Sequence, residues 1–182
     1  LLKVVNLTKK FGDLPVLNNV SFAVNAGEVL GVAGRSGAGK TTLVMVLAGL
    51  QPPSEGEIYL SGKRLHLPFK ARQLGIEVLH QTPELVPSMD IGENIFMGNE
   101  IGWPAITGGK LISSQKRMDD TSLRILRQLD ISFPSLREKV INLSGEQRQM
   151  LSVARSMVKP AKLMVVDDVT EVLNYTNQQK VL

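Results

Sequence analysis

The chain has 182 residues, 43% of them hydrophobic, and a formal net charge of +4; this is enough for one domain with a real core. It holds no cysteine, which excludes disulfides and thiolate metal sites, and no apolar run reaches the ~18 to 20 residues of a membrane helix. The mild positive charge is compatible with a polyphosphate, nucleic-acid or anionic-membrane partner, but reads first as ordinary solvated Lys and Arg.

In chain order, residues 2–7 and 20–24 read as strands, and Asn25-Ala26-Gly27 as a turn. Val29-Leu30-Gly31-Val32-Ala33 is a short apolar run, expected to be a buried strand. Gly34-Arg35-Ser36-Gly37-Ala38-Gly39-Lys40-Thr41 then fits G-x-x-x-x-G-K-[ST], the loop that wraps nucleoside-triphosphate phosphates. A helix is expected over residues 42–48, stopped by Gly49. Pro52-Pro53-Ser54-Glu55-Gly56 is a turn before a strand at residues 57–60, Ser61-Gly62 is another turn, and residues 76–79 read as a strand. Residues 82–110 are rich in Pro and Gly and read as loop, with one helical turn near residues 91–96.

Met118, Ser122, Ile125, Leu126 and Leu129 share one helical face and predict an amphipathic helix over residues 113–130, packed on its own domain. Ser144 caps a further helix that ends near Val158, ahead of Pro160. Residues 162–167 read as a strand that ends in the carboxylates Asp167 and Asp168. The chain starts in a strand-like segment and ends at Val181-Leu182 in a helix-like one without a stop signal. It is therefore expected to be a segment of a longer polypeptide.

Each motif has its own chemistry. In the glycine loop, backbone N–H groups point at phosphate oxygens, and glycine permits the close approach and the dihedrals this needs. The following helix adds the positive end of its dipole. Lys40 is placed to reach the β- and γ-phosphates, and Thr41 to offer a hydroxyl to Mg²⁺, which needs few protein oxygens. Asp167, at a strand end, is placed to hold the Mg²⁺ shell, and Asp168 to orient or deprotonate an attacking water. Leu143-Ser144-Gly145-Glu146-Gln147 is a capped helix start whose bare N–H groups attract an anion, a second phosphate-type site far away in sequence.

Together these residues resemble the ATP-binding cassette (ABC) ATPases. Residues 34–42, from Gly34 to Thr42, are similar to their Walker A motif. Residues 143–147, with Arg148-Gln149 after them, resemble the signature LSGGQ-[RQ]-Q, with Glu146 in place of the second glycine. Phe11 matches the aromatic that stacks on adenine, Val16 a nearby apolar contact, Gln81 the glutamine that links the metal site to a membrane partner, and Asp167 the Walker B aspartate. His80-Gln81, Leu85, Pro87 and residues 91–100 are similar to the bacterial monosaccharide-importer ATPases, which carry two cassettes per chain.

The resemblance implies an α/β fold of the P-loop NTPase (RecA-like) kind. Its parallel core sheet would carry an N-terminal antiparallel β subdomain and an α-helical signature subdomain, with the C-terminal part missing. Residues 1–182 would be one truncated ABC ATPase domain: 1–80 and 159–182 the nucleotide-binding core with the β subdomain, 81–158 the glutamine loop and helical subdomain. It also implies ATP and Mg²⁺ as ligands. Phe11, Val16, Gly34, Arg35, Ser36, Gly37, Ala38, Gly39, Lys40, Thr41, Thr42, Gln81 and Asp167 would hold the nucleotide, and Thr41, Gln81 and Asp167 the metal. Asp168, Lys40 and Gln81 would be catalytic. Two cassettes would meet head to tail, so that Ser144, Gly145, Glu146 and Gln147 face the ATP of the partner. The implied partners are a second cassette, transmembrane permease subunits and, indirectly, a solute-binding protein, at the cytoplasmic face of the cell membrane, with no nucleic acid.

Departures cluster at the hydrolytic corner. Asp168 stands where the family has a glutamate, Val169 where it has a proline, and Asn174 where it has an aspartate, whereas Thr170 and Leu173 fit. Aspartate is one methylene shorter, and a misplacement of about 1 Å can cost ~10²-fold in rate. His66 and His80 both lie upstream and cannot be the family's switch histidine. The expectation is a site that binds ATP well and hydrolyses it slowly. Alternatives are a soluble ABC ATPase acting on ribosomes or DNA, and a non-hydrolysing ATP sensor. The short spacing between glycine loop and signature disfavours the DNA-processing branch, which inserts long coiled-coil arms there.

Overall fold

The computed structural model describes residues 1–99 and 110–168. The expectations at Glu100, Val169, Thr170, Leu173 and Asn174 lie outside the described residues. Two compact units are present: Leu1–Val78 with Lys162–Asp167, and Leu79–Ala161 with Asp168.

In the first unit, β1 (Leu2–Phe11), β2 (Leu14–Val24), β3 (Glu55–Leu60) and β4 (Lys63–Arg64) form an antiparallel sheet in the order β2-β1-β3-β4. Strands β1 and β2 are longer than their apolar cores predict. The Gly12-Asp13 turn, with Gly12 at φ 59°, pairs Phe11 with Leu14 and zips two largely exposed arms together. Leu2, Val4, Leu7, Leu17, Val24, Ile58 and Leu60 point inward. They share a core with Leu43, Val46 and Leu47 of α1 (Lys40–Leu47), with Ile76, and with Leu163. The short helix α2 (Ala71–Leu74) leads into β5 (Ile76–Leu79), which pairs with β6 (Leu163–Val166).

One expected strand is missing. Residues 29–33 pair with no strand among the described residues and stand open, Val29 at 88% exposure and Val32 at 53%. An apolar run becomes a strand only when a neighbour supplies the hydrogen-bond ladder, and composition alone cannot supply it.

The second unit is helical, with α3 (Ile91–Phe96), α4 (Lys110–Gln128), a 3-10 turn at Val140–Asn142 and α5 (Gly145–Ser156). Helix α3 falls where a single helical turn is expected. It is opened by a capping box in which Glu93 N donates to Asp90 Oδ1 at 2.7 Å and Asp90 N donates to Glu93 Oε2 at 2.8 Å. Asn94 is fully buried and satisfied by main chain: Val86 N donates to its Oδ1, and its Nδ2 donates to Val86 O and Asp90 O. Arg137 bridges Asp90 and Asp119. Burial by itself would lower the pKa of its guanidinium, but the Asp119 and Asp90 carboxylates together hold it above its ordinary value. Ile125 and Leu126 are buried along the predicted face of α4, and Leu129 is buried just after its end, packed with Ile91, Ile95, Phe96, Val140, Met150 and Leu151.

Candidate functional site

The glycine loop runs directly into α1. Gly37 and Gly39 adopt φ of 80° and 93°, the left-handed region that favours glycine. Gly39 is the N-cap of α1 and provides no side-chain cap, and no acidic residue lies in the first turn. The helix start therefore presents backbone donors with no side-chain acceptor built against them. A Cβ on Gly39 would lie 2.8 Å from Val16 O and 3.1 Å from Leu17 Cδ2, so the loop is seated hard against β2. Lys40 folds back across the loop, its Nζ donating to Gly34 O at 2.8 Å and to Arg35 O at 3.1 Å. Ala38 N donates to Arg35 O at 3.1 Å, closing the turn around residues 35–38. The Thr41 side chain is exposed. This donor set, main-chain N–H groups, one ammonium and one hydroxyl at a helix start, suits the oxygens of a polyphosphate and one hard cation.

The other expected residues of the first unit take definite places. Phe11 sits at the β1–β2 turn, 47% exposed, with the Lys9 ammonium 5.0 Å from its ring centroid. Val16 lies beneath Gly39. Asp167 follows β6 and is buried, at 9% exposure. No group of three His, Cys, Asp or Glu side chains gathers as a metal cage among the described residues; Mg²⁺ does not need one, since it keeps waters and substrate oxygens as ligands. Asp168 and Gln81 belong to the second unit. Asp168 is exposed and left-handed, at φ 49°, a conformation aspartate tolerates. Gln81 is exposed in the segment after β5.

The signature residues form the start of α5. Ser144 is the N-cap: Gln147 N donates to Ser144 Oγ at 3.2 Å, and Ser144 N donates to Gln147 Oε1 at 2.9 Å. Both side chains close the cap, and the first turn of the helix begins at Gly145. A Cβ on Gly145 would meet nothing within 4 Å, so this face is open. Glu146 adds a carboxylate to the first turn.

Residues 17–171 match the family described as ABC transporter. The chain belongs to the ABC transporter family. This cassette is 36% identical over its whole length to the xylose/arabinose import ATP-binding protein XylG of Sulfolobus acidocaldarius, 71% of which it covers. It is 37% identical, over 93% of its length, to the xylose import ATP-binding protein XylG of Histophilus somni, 33% of which it covers. It is 34% identical, over 97% of its length, to the fructose import ATP-binding protein FrcA of Rhizobium meliloti, 69% of which it covers. The cassette thus spans about 70% of some curated relatives and a third of others.

A solved nucleotide-free ATP-binding cassette from an ABC transporter superposes with a TM-score of 0.80 at 27% identity, covering 99% of this chain and 73% of its own. The cassette MJ0796, in a dimeric post-hydrolysis state bound to ADP and Pi, superposes with a TM-score of 0.78 at 25% identity, covering 100% of this chain and 79% of its own. The P-loop NTPase fold and the class of ABC-type ATPase follow from these likenesses.

Several contacts of this cassette are invisible in the sequence. The seat of Gly39 on Val16, the return of Lys40 onto loop carbonyls, and the position of Lys9 over Phe11 are tertiary facts without a motif. The bonds from α5 to the residues beside Gln81 are equally silent, because side chain-to-carbonyl bonds have no spacing rule across 69 or 71 residues.

Proposed function

We propose that this cassette binds MgATP on its glycine loop and powers a membrane importer of sugars by ATP-driven pairing with a second cassette. One observation carries the reading: a single chain presents two phosphate-type helix starts, α1 behind the glycine loop and α5 behind Ser144. A single nucleotide on one chain leaves the second start without a task, whereas head-to-tail pairing gives it the partner's ATP. The import ATP-binding relatives support sugar as the cargo class.

In this reading Phe11 and Val16 hold the adenine. The main chain of residues 34–42 and the Lys40 ammonium hold the phosphates, with Lys40 exchanging loop carbonyls for phosphate oxygens. Thr41, Asp167 and Gln81 hold Mg²⁺, which when bound neutralises charge on the β- and γ-oxygens. Ser144, Gly145, Glu146 and Gln147 meet the ATP of the partner cassette. Residues 1–80 and 159–182 form the nucleotide-binding core and 81–158 the helical arm. Closing and opening of the pair biases a permease between two access states, a binding free energy spent on a two-state element. A solute-binding protein delivers the cargo outside, while the cassette works at the cytoplasmic face. No helix among the described residues is long and apolar enough to cross a membrane.

Asp168 makes this the slower site of an asymmetric pair. Its carboxylate is a methylene shorter than glutamate, and its left-handed backbone further fixes where it can reach. The functional test is uptake of labelled sugar together with ATP hydrolysis, in vesicles holding the protein and its permease. Lys40→Ala is expected to lower both by ~10²-fold or more. Uptake that survives this substitution would refute the role.

A further inference from the structure

Gln81 lies in a short exposed stretch, and what holds that stretch is α5. Gln149 Nε2 donates to His80 O at 3.5 Å, on one side of Gln81. Arg155 Nη1 donates to Glu84 O at 2.5 Å, on the other side. The same stretch is anchored by its apolar ends: Leu79 is buried in the core formed with Met150, Leu151 and Ala154 of α5, and Leu85 packs against that core. All of these residues belong to one compact unit.

Gln149 is the informative member. Its side chain is fully buried, and its Oε1 has no hydrogen-bond partner among the described residues. A buried unpaired amide oxygen costs stability, and an apolar side chain of similar size would avoid the cost. What the amide adds over such a side chain is the donor to His80 O. Arg155 is similar: a long cation on a helix, used here to grip a main-chain carbonyl. Both donors reach backbone, so they hold the position of the stretch whatever side chains it carries.

We propose that Gln149 and Arg155 are positioning residues that clamp the 80–84 stretch onto the signature helix, so that Gln81 and Ser144 move as one rigid body. This rests on the proposed ATP-driven pairing of cassettes. A displacement felt at Gln81, at the metal or at the permease, is then delivered to the start of α5 without loss, and the reverse. Packed elements of this kind shift between discrete arrangements and do not bend continuously.

The chain contains no cysteine, so spin labels at Thr82→Cys and Lys159→Cys can report the geometry within the assembled transporter. The wild-type label distance is expected to be narrow and unchanged by a non-hydrolysable ATP analogue with Mg²⁺. In Gln149→Leu/Arg155→Met it is expected to broaden, with kcat about tenfold lower or more and KM for ATP within about twofold. A wild-type distance that shifts on nucleotide binding overturns the clamp. So does a double variant that keeps both the narrow distance and its kcat, or one that loses thermal stability alone. Should the double variant fail to fold, the two single variants are read by the same criteria. Absence of nucleotide binding to the wild type would instead sink the functional reading, while label distances in nucleotide-free protein would still decide the clamp.

Discussion

Gly39 shows how much one atom can decide. Its φ of 93° and a hypothetical Cβ 2.8 Å from Val16 O make alanine there both strained and overcrowded. Gly39→Ala is expected to cost ~1–3 kcal/mol, seen as a lower melting temperature, and to weaken ATP binding in an equilibrium titration. Gly37 shares the left-handed conformation, at φ 80°, but has open space around it. A Gly37→Ala variant should therefore lose less stability, and an equal loss would show that the seat on Val16 does not matter. In the proposed mechanism Asp168 sets the rate where Gly39 sets binding. Asp168→Glu lengthens the carboxylate, and single-turnover hydrolysis is expected to speed up by about tenfold or more. A wild-type site already as fast as the variant would end the slow-site proposal.

At the scale of elements, the cap expected at Ser144 is where sequence and structure agree most closely. The S-x-x-Q and D-x-x-E spacings at Ser144/Gln147 and Asp90/Glu93 both close as reciprocal boxes, because a helix start needs local donors satisfied and residues three apart can reach them. Ser144→Ala removes the acceptor for Gln147 N–H and is expected to cost ~1 kcal/mol of stability by chemical denaturation; Ser144→Thr should retain most of it. Helix α1 and the amphipathic face of α4 were legible for the same reason, since helical period is a local property. Strands were less so. The arms of β1 and β2 extend into polar sequence because each is the other's partner, while residues 29–33, apolar throughout, pair with nothing among the described residues. Asn94 carried no signal either: two of its three main-chain bonds depend on a loop eight residues back folding over it.

At the scale of the whole molecule, the proposed pairing divides the site between chains. Each cassette would bring a glycine loop for one ATP and a signature helix for another, so two kinds of lesion should part company. Lys40→Ala is expected to abolish ATP binding and turnover together. Ser144→Arg is expected to leave ATP affinity on its own glycine loop within about twofold and to block turnover of the assembled pair. Equal loss of ATP affinity in both variants would mean that the signature helix serves its own chain's nucleotide. The 182-residue chain, purified alone, is expected to show little steady-state ATPase activity, and robust turnover without a partner would contradict the division.

The sequence alone determined the chemistry of this cassette: a phosphate loop at residues 34–41, a capped second helix start at residue 144, and the family that unites them. These features are local, set by dihedral freedom and by donors a few residues apart. Only the tertiary structure decided that Gly39 is pressed on Val16, that Lys40 rests on loop carbonyls, and that Gln149 and Arg155 grip the residues flanking Gln81. Those contacts join positions far apart in the chain, and they exist only once two separate segments are packed into the same place.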